Sequence, residues 1–380
     1  LSPPLSESGP CPGLPDRPLP PNGLDVVRLH PPDDGPGDGP RFTQMELLPD
    51  HALMVWQLRA RLPGLGEVPL LHAPPLAEAP ALLAGGPPDR TGNNAFKVGG
   101  AFLLPFANRI RGAFSPADRA LRTTIAGRPL RLFANGGGQR EGAEQYAIHG
   151  LILGRPVDAW ERADTAQSAA VRATLRAGDF GGCWLSDTRV DFHMALRADA
   201  VDLRLTATNA GHEPLPMGMG WHPYFALPSG VREQARIRIP ARTRMAVNDY
   251  DEVLPTGELL PVAGTPYDFS GPRGAPLGEL YLDDCFTDLA KTPQGATVVE
   301  VLDPQAGYGL RVFSSSPQIS AVQTFAPPDR PFVVLEPQFN WADPFGALWR
   351  EPAGKGMVVL APGASVDYCV RLELFTPAAR

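Results

Sequence analysis

The strongest constraint on the fold of this chain is a stretch of strict alternation past its midpoint. Val190, Phe192, Met194 and Leu196 alternate with Asp191, His193, Ala195 and Arg197; Val201, Leu203 and Leu205 then alternate with Asp202, Arg204 and Thr206. Successive side chains of an extended backbone point to opposite faces, so period two sends one set into a core and the other toward solvent. The two runs read as an antiparallel pair, with His193 on the polar face and outside any site. Val366, Tyr368, Val370, Leu372 and Leu374 repeat the pattern, which predicts a long central strand over Ser365–Phe375. Shorter apolar runs predict strands at 235–239, 297–302, 309–313, 319–325, 332–335 and 357–360, and a hairpin from 42–48 and 53–58 around Pro49-Asp50-His51. Residues 159–177 are alanine-rich, which suits a helix by local propensity, but their surroundings favour strand.

Glycine (40) and proline (45) are abundant among the 380 residues and punctuate these runs, as many strands joined by turns require. From residue 1 to 40 they crowd out apolar periodicity altogether, so that segment reads as a poorly ordered tail, apart from a first strand within 24–29. Residues 41–380 contain no linker or internal repeat. The expected architecture is all-β, one large antiparallel β-sandwich.

With a formal net charge of −7 and no Lys/Arg cluster, the chain lacks the electrostatic footprint of a nucleic-acid binder. No apolar run reaches the roughly eighteen residues of a membrane helix. The expectation is a soluble protein without nucleic-acid or membrane partners, a monomer or homodimer. Cys11, Cys183, Cys285 and Cys369 are scattered without a C-x-x-C pair and read as mostly buried, inert thiols. The compartment stays open between the cytoplasm, slightly favoured, and an exported form whose signal peptide has been removed.

Five polar signatures stand out from the β background. Asn108-Arg109-Ile110-Arg111-Gly112 embeds two arginines among apolar residues, where a guanidinium needs a partner and its planar fork suits carboxylates or paired hydroxyls. His149-Gly150 closes an apolar run. Gly220-Trp221-His222-Pro223-Tyr224-Phe225 sets one imidazole, the side chain that titrates nearest neutrality, among aromatics; alone it suits a packed core histidine as well as a proton carrier. Asp283-Asp284 places two adjacent carboxylates in an extended segment, where one faces inward and the other out. Glu336 follows Val333-Val334-Leu335, where burial raises a carboxyl pKa toward usefulness as a base.

In order and spacing these five signatures resemble the aldose 1-epimerase (galactose mutarotase) family, over about residues 41–375. The resemblance implies a galactose mutarotase-like supersandwich and an isomerase that needs no cofactor and no metal, interconverting the α and β anomers of a free aldohexose. It implies His222 as general acid at the ring oxygen, Glu336 as general base at the C1 hydroxyl and His149 as an assisting group. Arg109, Asp283 and Asn108 would hold sugar hydroxyls, with Trp221 and Tyr224 as walls; Trp184 and Trp341 are further wall candidates. Asn135-Gly136-Gly137-Gly138-Gln139-Arg140 reads as a flexible loop at the rim. Three rival expectations stand beside this one. A hexose-6-phosphate 1-epimerase would use Arg109, Arg111 or Arg140 against the phosphate, a binding protein would keep the fold without turnover, and a metalloenzyme would use His149, His222 and Glu336 as ligands.

Overall fold

The computed structural model describes residues 24–33, 38–86, 89–349 and 355–377; most of the expected tail lies outside them. Among the described residues two large antiparallel sheets dominate. An eleven-stranded sheet runs Val27–Leu29, Arg41–Leu48, Met54–Leu62, Gly100–Leu103, Gly220–Ala226, Phe332–Gln338, Ala321–Ala326, Leu282–Leu289, Ala241–Val247 and Pro255–Pro261, with Gly66–Pro69 paired onto Met54–Leu62. A nine-stranded sheet runs Ala159–Arg162, Ala169–Gly178, Thr188–Leu196, Ala200–Asn209, Ser365–Phe375, Tyr308–Ser314, Thr297–Asp303, Arg236–Arg238 and Ala275–Pro276.

The alternating segments behave as their pattern demands. Thr188–Leu196 pairs with Ala200–Asn209, with Val190 opposite Ala207 and Met194 opposite Leu203. Ser365–Phe375 sits in the middle of its sheet, between Ala200–Asn209 and Tyr308–Ser314. The alanine-rich segment is extended too, because Val171, Ala173 and Leu175 supply a buried row while Arg172 and Arg176 face out. Val27–Leu29 docks on Met45–Leu47 at the sheet edge, so the chain is tied into the fold well before residue 41.

One continuous core fills the space between the sheets. Phe102 of the larger sheet meets Phe192 of the smaller at 6.1 Å between ring centroids. Tyr368 crosses the same interface, and its buried hydroxyl donates to the Pro337 carbonyl at 2.7 Å. With the inner face of the larger sheet committed to this core, its outer face is free to carry a site. Cys285 and Cys369 are free thiols, but Cys183 is disulfide-bonded, which corrects the expectation of inert thiols at that position.

Candidate active site

Neighbouring strands of the larger sheet place the signature residues in one row on its outer face. Gly220 pairs with Gln338 and Tyr224 with Val334, and that register sets His222 directly across from Glu336. Their side chains meet, His222 Nε2 lying 3.2 Å from Glu336 Oε1. On its other flank Glu336 pairs with Gln323, and Gln323 with Cys285. His222, Glu336 and Gln323 thus share one row because residues directly opposite each other on paired strands face the same side of the sheet.

His149 arrives from a turn rather than the sheet. It follows the strand Gln145–Ile148 and adopts a left-handed backbone (φ 61°), as does Gly150 (φ 81°). A Cβ at Gly150 would lie 2.3 Å from the Leu104 carbonyl oxygen, which explains why glycine must follow this histidine. The His149 amide donates to the Asn108 carbonyl at 2.9 Å, fixing the turn. Its ring stands perpendicular to that of His222, with centroids 4.9 Å apart. Phe96, from a short helical turn, packs on both imidazoles. One donor atom from each of His149, His222 and Glu336 falls within 4.8 Å of the others.

Beside this trio runs a closed polar ring. Arg109 Nη1 donates to Asn108 Oδ1 at 3.2 Å, Asn108 Nδ2 donates to Gln323 Oε1 at 2.7 Å, and Gln323 Nε2 donates to Asp283 Oδ1 at 2.7 Å. The ring closes where Asp283 Oδ2 approaches Arg109 Nη2 at 3.5 Å. The Arg109 guanidinium also lies over the Tyr146 ring at 5.5 Å. Of the two adjacent carboxylates, Asp283 reaches Arg109, whereas Asp284 faces away and is engaged by Arg244 and Tyr250.

Burial sets the protonation states. It drives the His222 pKa down to about 3 and His149 well below the usual imidazole range, the latter helped by the facing His222 and Arg109. It pushes Glu336 well above the usual carboxyl range, reinforced by Asp283. Both partners of the 3.2 Å contact therefore lean neutral. Asp283 is pushed up to about 6 by burial, against the pull of Arg109. Tyr224, stacked on His222 at 5.1 Å, stays a phenol because burial raises its pKa.

Several buried polar atoms without a hydrogen-bond partner converge here: Arg109 Nε, His149 Nδ1, His222 Nδ1, Glu336 Oε2 and Gln338 Oε1. Such atoms are costly in a core and cheap where a polar ligand meets them. Metal-binding histidines normally anchor their second nitrogen on a partner, and neither Nδ1 has one.

Sequence reasoning misplaces Trp221. It neighbours His222 on an extended strand and so points the other way, into the core between the sheets, where its Nε1 donates to the Gly100 carbonyl at 3.0 Å. Trp184 is likewise core, stacked on Phe106. Trp341 packs on Trp349. The 135–140 loop is pinned rather than loose: the Asn135 side chain bonds the Ile148 backbone through both N–H and C=O, and Arg140 pairs with Asp249. The site members that sequence reasoning missed are Gln323, Tyr146 and Phe96. Gln323 carried a signal, since it shares strand parity with Phe325 and is a polar residue in an apolar alternation.

An all-β sandwich with a buried acid–base cluster on the outer face of one sheet is the class that fold and site define. The aldose 1-epimerase family profile matches residues 76–372, and the chain belongs to that family. The chain is 31% identical over 196 residues to the uncharacterized protein YphB of Escherichia coli K12, a match spanning 49% of this chain and 60% of YphB. Among solved structures it resembles a putative aldose 1-epimerase from Escherichia coli K12 (22% identity, TM-score 0.63, covering 93% of this chain and 100% of that one). It also resembles a galactose mutarotase-like protein from Clostridium acetobutylicum (16% identity, TM-score 0.69, 93% and 99% covered). A third likeness is to the GalM/aldose epimerase homologue of C. elegans (15% identity, TM-score 0.68, 94% and 100% covered). At these identities the structural likenesses speak to the fold alone.

Proposed function

We propose that this chain is an aldose 1-epimerase that interconverts the α and β anomers of a free aldohexose by acid–base opening and closing of the ring. The observation that carries this is the buried His222–Glu336 contact at 3.2 Å, which sets an imidazole and a carboxyl side by side where they could exchange protons with a sugar. Ring opening removes a proton from O1 and adds one to O5 as the C1–O5 bond breaks and C1 becomes an aldehyde. In the reactive arrangement His222 carries the pair's proton and gives it to O5, while Glu336 takes the proton of O1. Opening therefore moves the single proton from His222 to Glu336 by way of the sugar. The aldehyde turns about C1–C2, and closure on its other face moves the proton back, so the pair ends as it began. A positioned acid or base contributes about 10²–10⁴-fold, or roughly 3–5.5 kcal/mol at ~1.36 kcal/mol per decade.

His149, facing His222, assists at the ring oxygen. Arg109, Asp283 and Asn108 hold sugar hydroxyls, with Gln323 locking their orientation and Tyr224 forming a wall. The nearby arginines favour a neutral sugar over a phosphorylated one. Arg111 forks onto Glu144 at 2.7 and 2.6 Å, Arg140 pairs with Asp249, and Arg109 is held by Asp283, so a phosphate would have to displace a carboxylate from each. Comparing mutarotation rates on glucose and glucose 6-phosphate tests this: kcat/KM should be higher on the free sugar, and a marked preference for the phosphate ester would overturn the substrate choice.

A further inference from the structure

Phe96 packs on both imidazoles yet has no atom that can take part in ring opening. The strand Gly100–Leu103 pairs with the strand that carries His222, with Ala101 opposite His222, and the helical turn Asn93–Lys97 leads into it. Between turn and strand Gly99 adopts a left-handed backbone (φ 61°), and a Cβ there would lie 2.8 Å from the Val55 carbonyl oxygen. That glycine lets the turn fold back until the Phe96 ring lies 5.7 Å from the His222 ring and 4.6 Å from the His149 ring. Two asparagines pin it there. Asn93 Nδ2 donates to the Asn135 carbonyl at 2.6 Å, and Asn135 Nδ2 donates to Asn93 Oδ1 at 2.7 Å and to the Ile148 carbonyl at 3.1 Å. Asn135 Oδ1 in turn accepts the Ile148 amide at 2.7 Å. Ile148 precedes His149, so one side-chain amide ties the Phe96 turn to the strand that delivers the second imidazole.

The His222 imidazole is enclosed by rings. Tyr224 stacks on it at 22°, Phe96 leans on it at 40° and His149 meets it edge-on at 87°. Both imidazoles are buried, whereas Phe96 is half-buried, so its ring stands between them and water. Behind it lie Tyr146, Ile148 and Leu254, which keep it from swinging away. The turn brings no charge to the site: its one titratable side chain, Lys97, is exposed and donates to Asn94 Oδ1 at 3.1 Å. What Phe96 contributes is therefore shape and dryness. An imidazole that trades a proton with the sugar must not trade it with water, and it must hold its angle to the carboxyl beside it.

We propose that Phe96 is a positioning residue for this reaction, a water-excluding cover that holds the two imidazoles in place and is itself held through Asn93 and Asn135. This rests on the mutarotase reading above. It is tested with Phe96→Ala, Phe96→Leu and Asn93→Ala, each first checked for a cooperative melting transition. Two quantities are measured: kcat and KM on α-glucose by polarimetry, and the exchange of the imidazole N–H protons with water by NMR of protein labelled with nitrogen-15 histidine. The His149 and His222 signals are assigned from the spectra of His149→Asn and His222→Asn. In Phe96→Ala both N–H protons should exchange about tenfold faster or more. Its kcat should fall roughly 10-fold, within the ~10²-fold that a misplacement of about 1 Å can cost, with KM little changed. Phe96→Leu, which keeps an apolar cover, should retain most of the protection and of kcat, and Asn93→Ala should shift both quantities as Phe96→Ala does, by less. If Phe96→Ala fails to melt cooperatively, Asn93→Ala carries the test. Unchanged exchange on loss of the ring, kcat within about twofold of wild type, or a Phe96→Leu as impaired as Phe96→Ala would overturn the proposal. Absence of turnover on glucose in the wild type would instead remove the mutarotase reading, and the exchange rates would still decide whether Phe96 keeps water from the imidazoles.

Discussion

Replacing Glu336 by glutamine should separate catalysis from stability in a way few other substitutions here can. The side chain is 1% exposed and its pKa is raised well above the usual carboxyl range by burial. Turnover should fall by about 10²–10⁴-fold, the worth of a positioned base. Stability follows a different course. In the unfolded chain this carboxyl ionises in its ordinary range, while in the folded chain it stays protonated to higher pH. Folding therefore loses stability as pH rises from the unfolded pKa to the folded one, at up to ~1.4 kcal/mol per pH unit. Glutamine does not titrate and escapes that loss. Its amide places an N–H where Oε2 or Oε1 stood, and Oε2 has no partner, a cost of roughly 1–3 kcal/mol. That offset is the same at every pH, so the readout is the slope. Denaturant unfolding of both proteins at pH 5, 6 and 7 should show the variant gaining on the wild type with each step, alongside its lost polarimetric activity. A pH-independent difference, or turnover within tenfold of wild type, would refute the buried-base reasoning.

Other outcomes follow from the same geometry. His222→Asn should also abolish most turnover, and it should flatten the acid side of the stability profile. With a folded pKa of about 3, the wild-type imidazole stays neutral while the unfolded one takes up a proton below about 6.5, so wild-type stability drains between those values and the variant's does not. Because Asp283 ionises only above about 6, KM for sugar should rise as pH falls through that value, and the rise should vanish in Asp283→Asn. Arg109→Met strands the buried Asp283 and should cost about 3–5 kcal/mol in unfolding measurements, with much of that recovered in the Arg109→Met/Asp283→Asn double variant. Trp221→Ala should cost roughly 3–5 kcal/mol as a core cavity, yet leave kcat of the folded protein near wild type, since its ring faces the core rather than the site.

The β architecture was legible because period-two alternation is a direct image of the pleat, and the strand at Ser365–Phe375 appears with the bounds its alternation predicts. The site was legible in its parts, because histidine, glutamate, arginine and aspartate among apolar residues are costly unless used. Pairing was less visible. That His222 opposes Glu336 depends on the register between strands more than a hundred residues apart in the chain, which no local pattern encodes. Trp221 shows a rule applied to one place and not another. Neighbours on a strand face opposite ways, which separated Asp283 from Asp284 and should equally have separated Trp221 from His222. Gln323 was passed over because a lone amide looks unremarkable until Asn108 and Asp283 are seen on either side of it. The left-handed His149 and Gly150 could not be read without Leu104, whose carbonyl leaves no room for a Cβ.

The most direct measurement is the optical rotation of freshly dissolved α-D-glucose followed with and without the purified chain, in buffer containing a strong chelator. A protein that moves one proton between Glu336 and His222 through the sugar should bring the rotation to its equilibrium value far faster than buffer does, in proportion to protein concentration and with the chelator present. A relaxation no faster than that of buffer alone would contradict it.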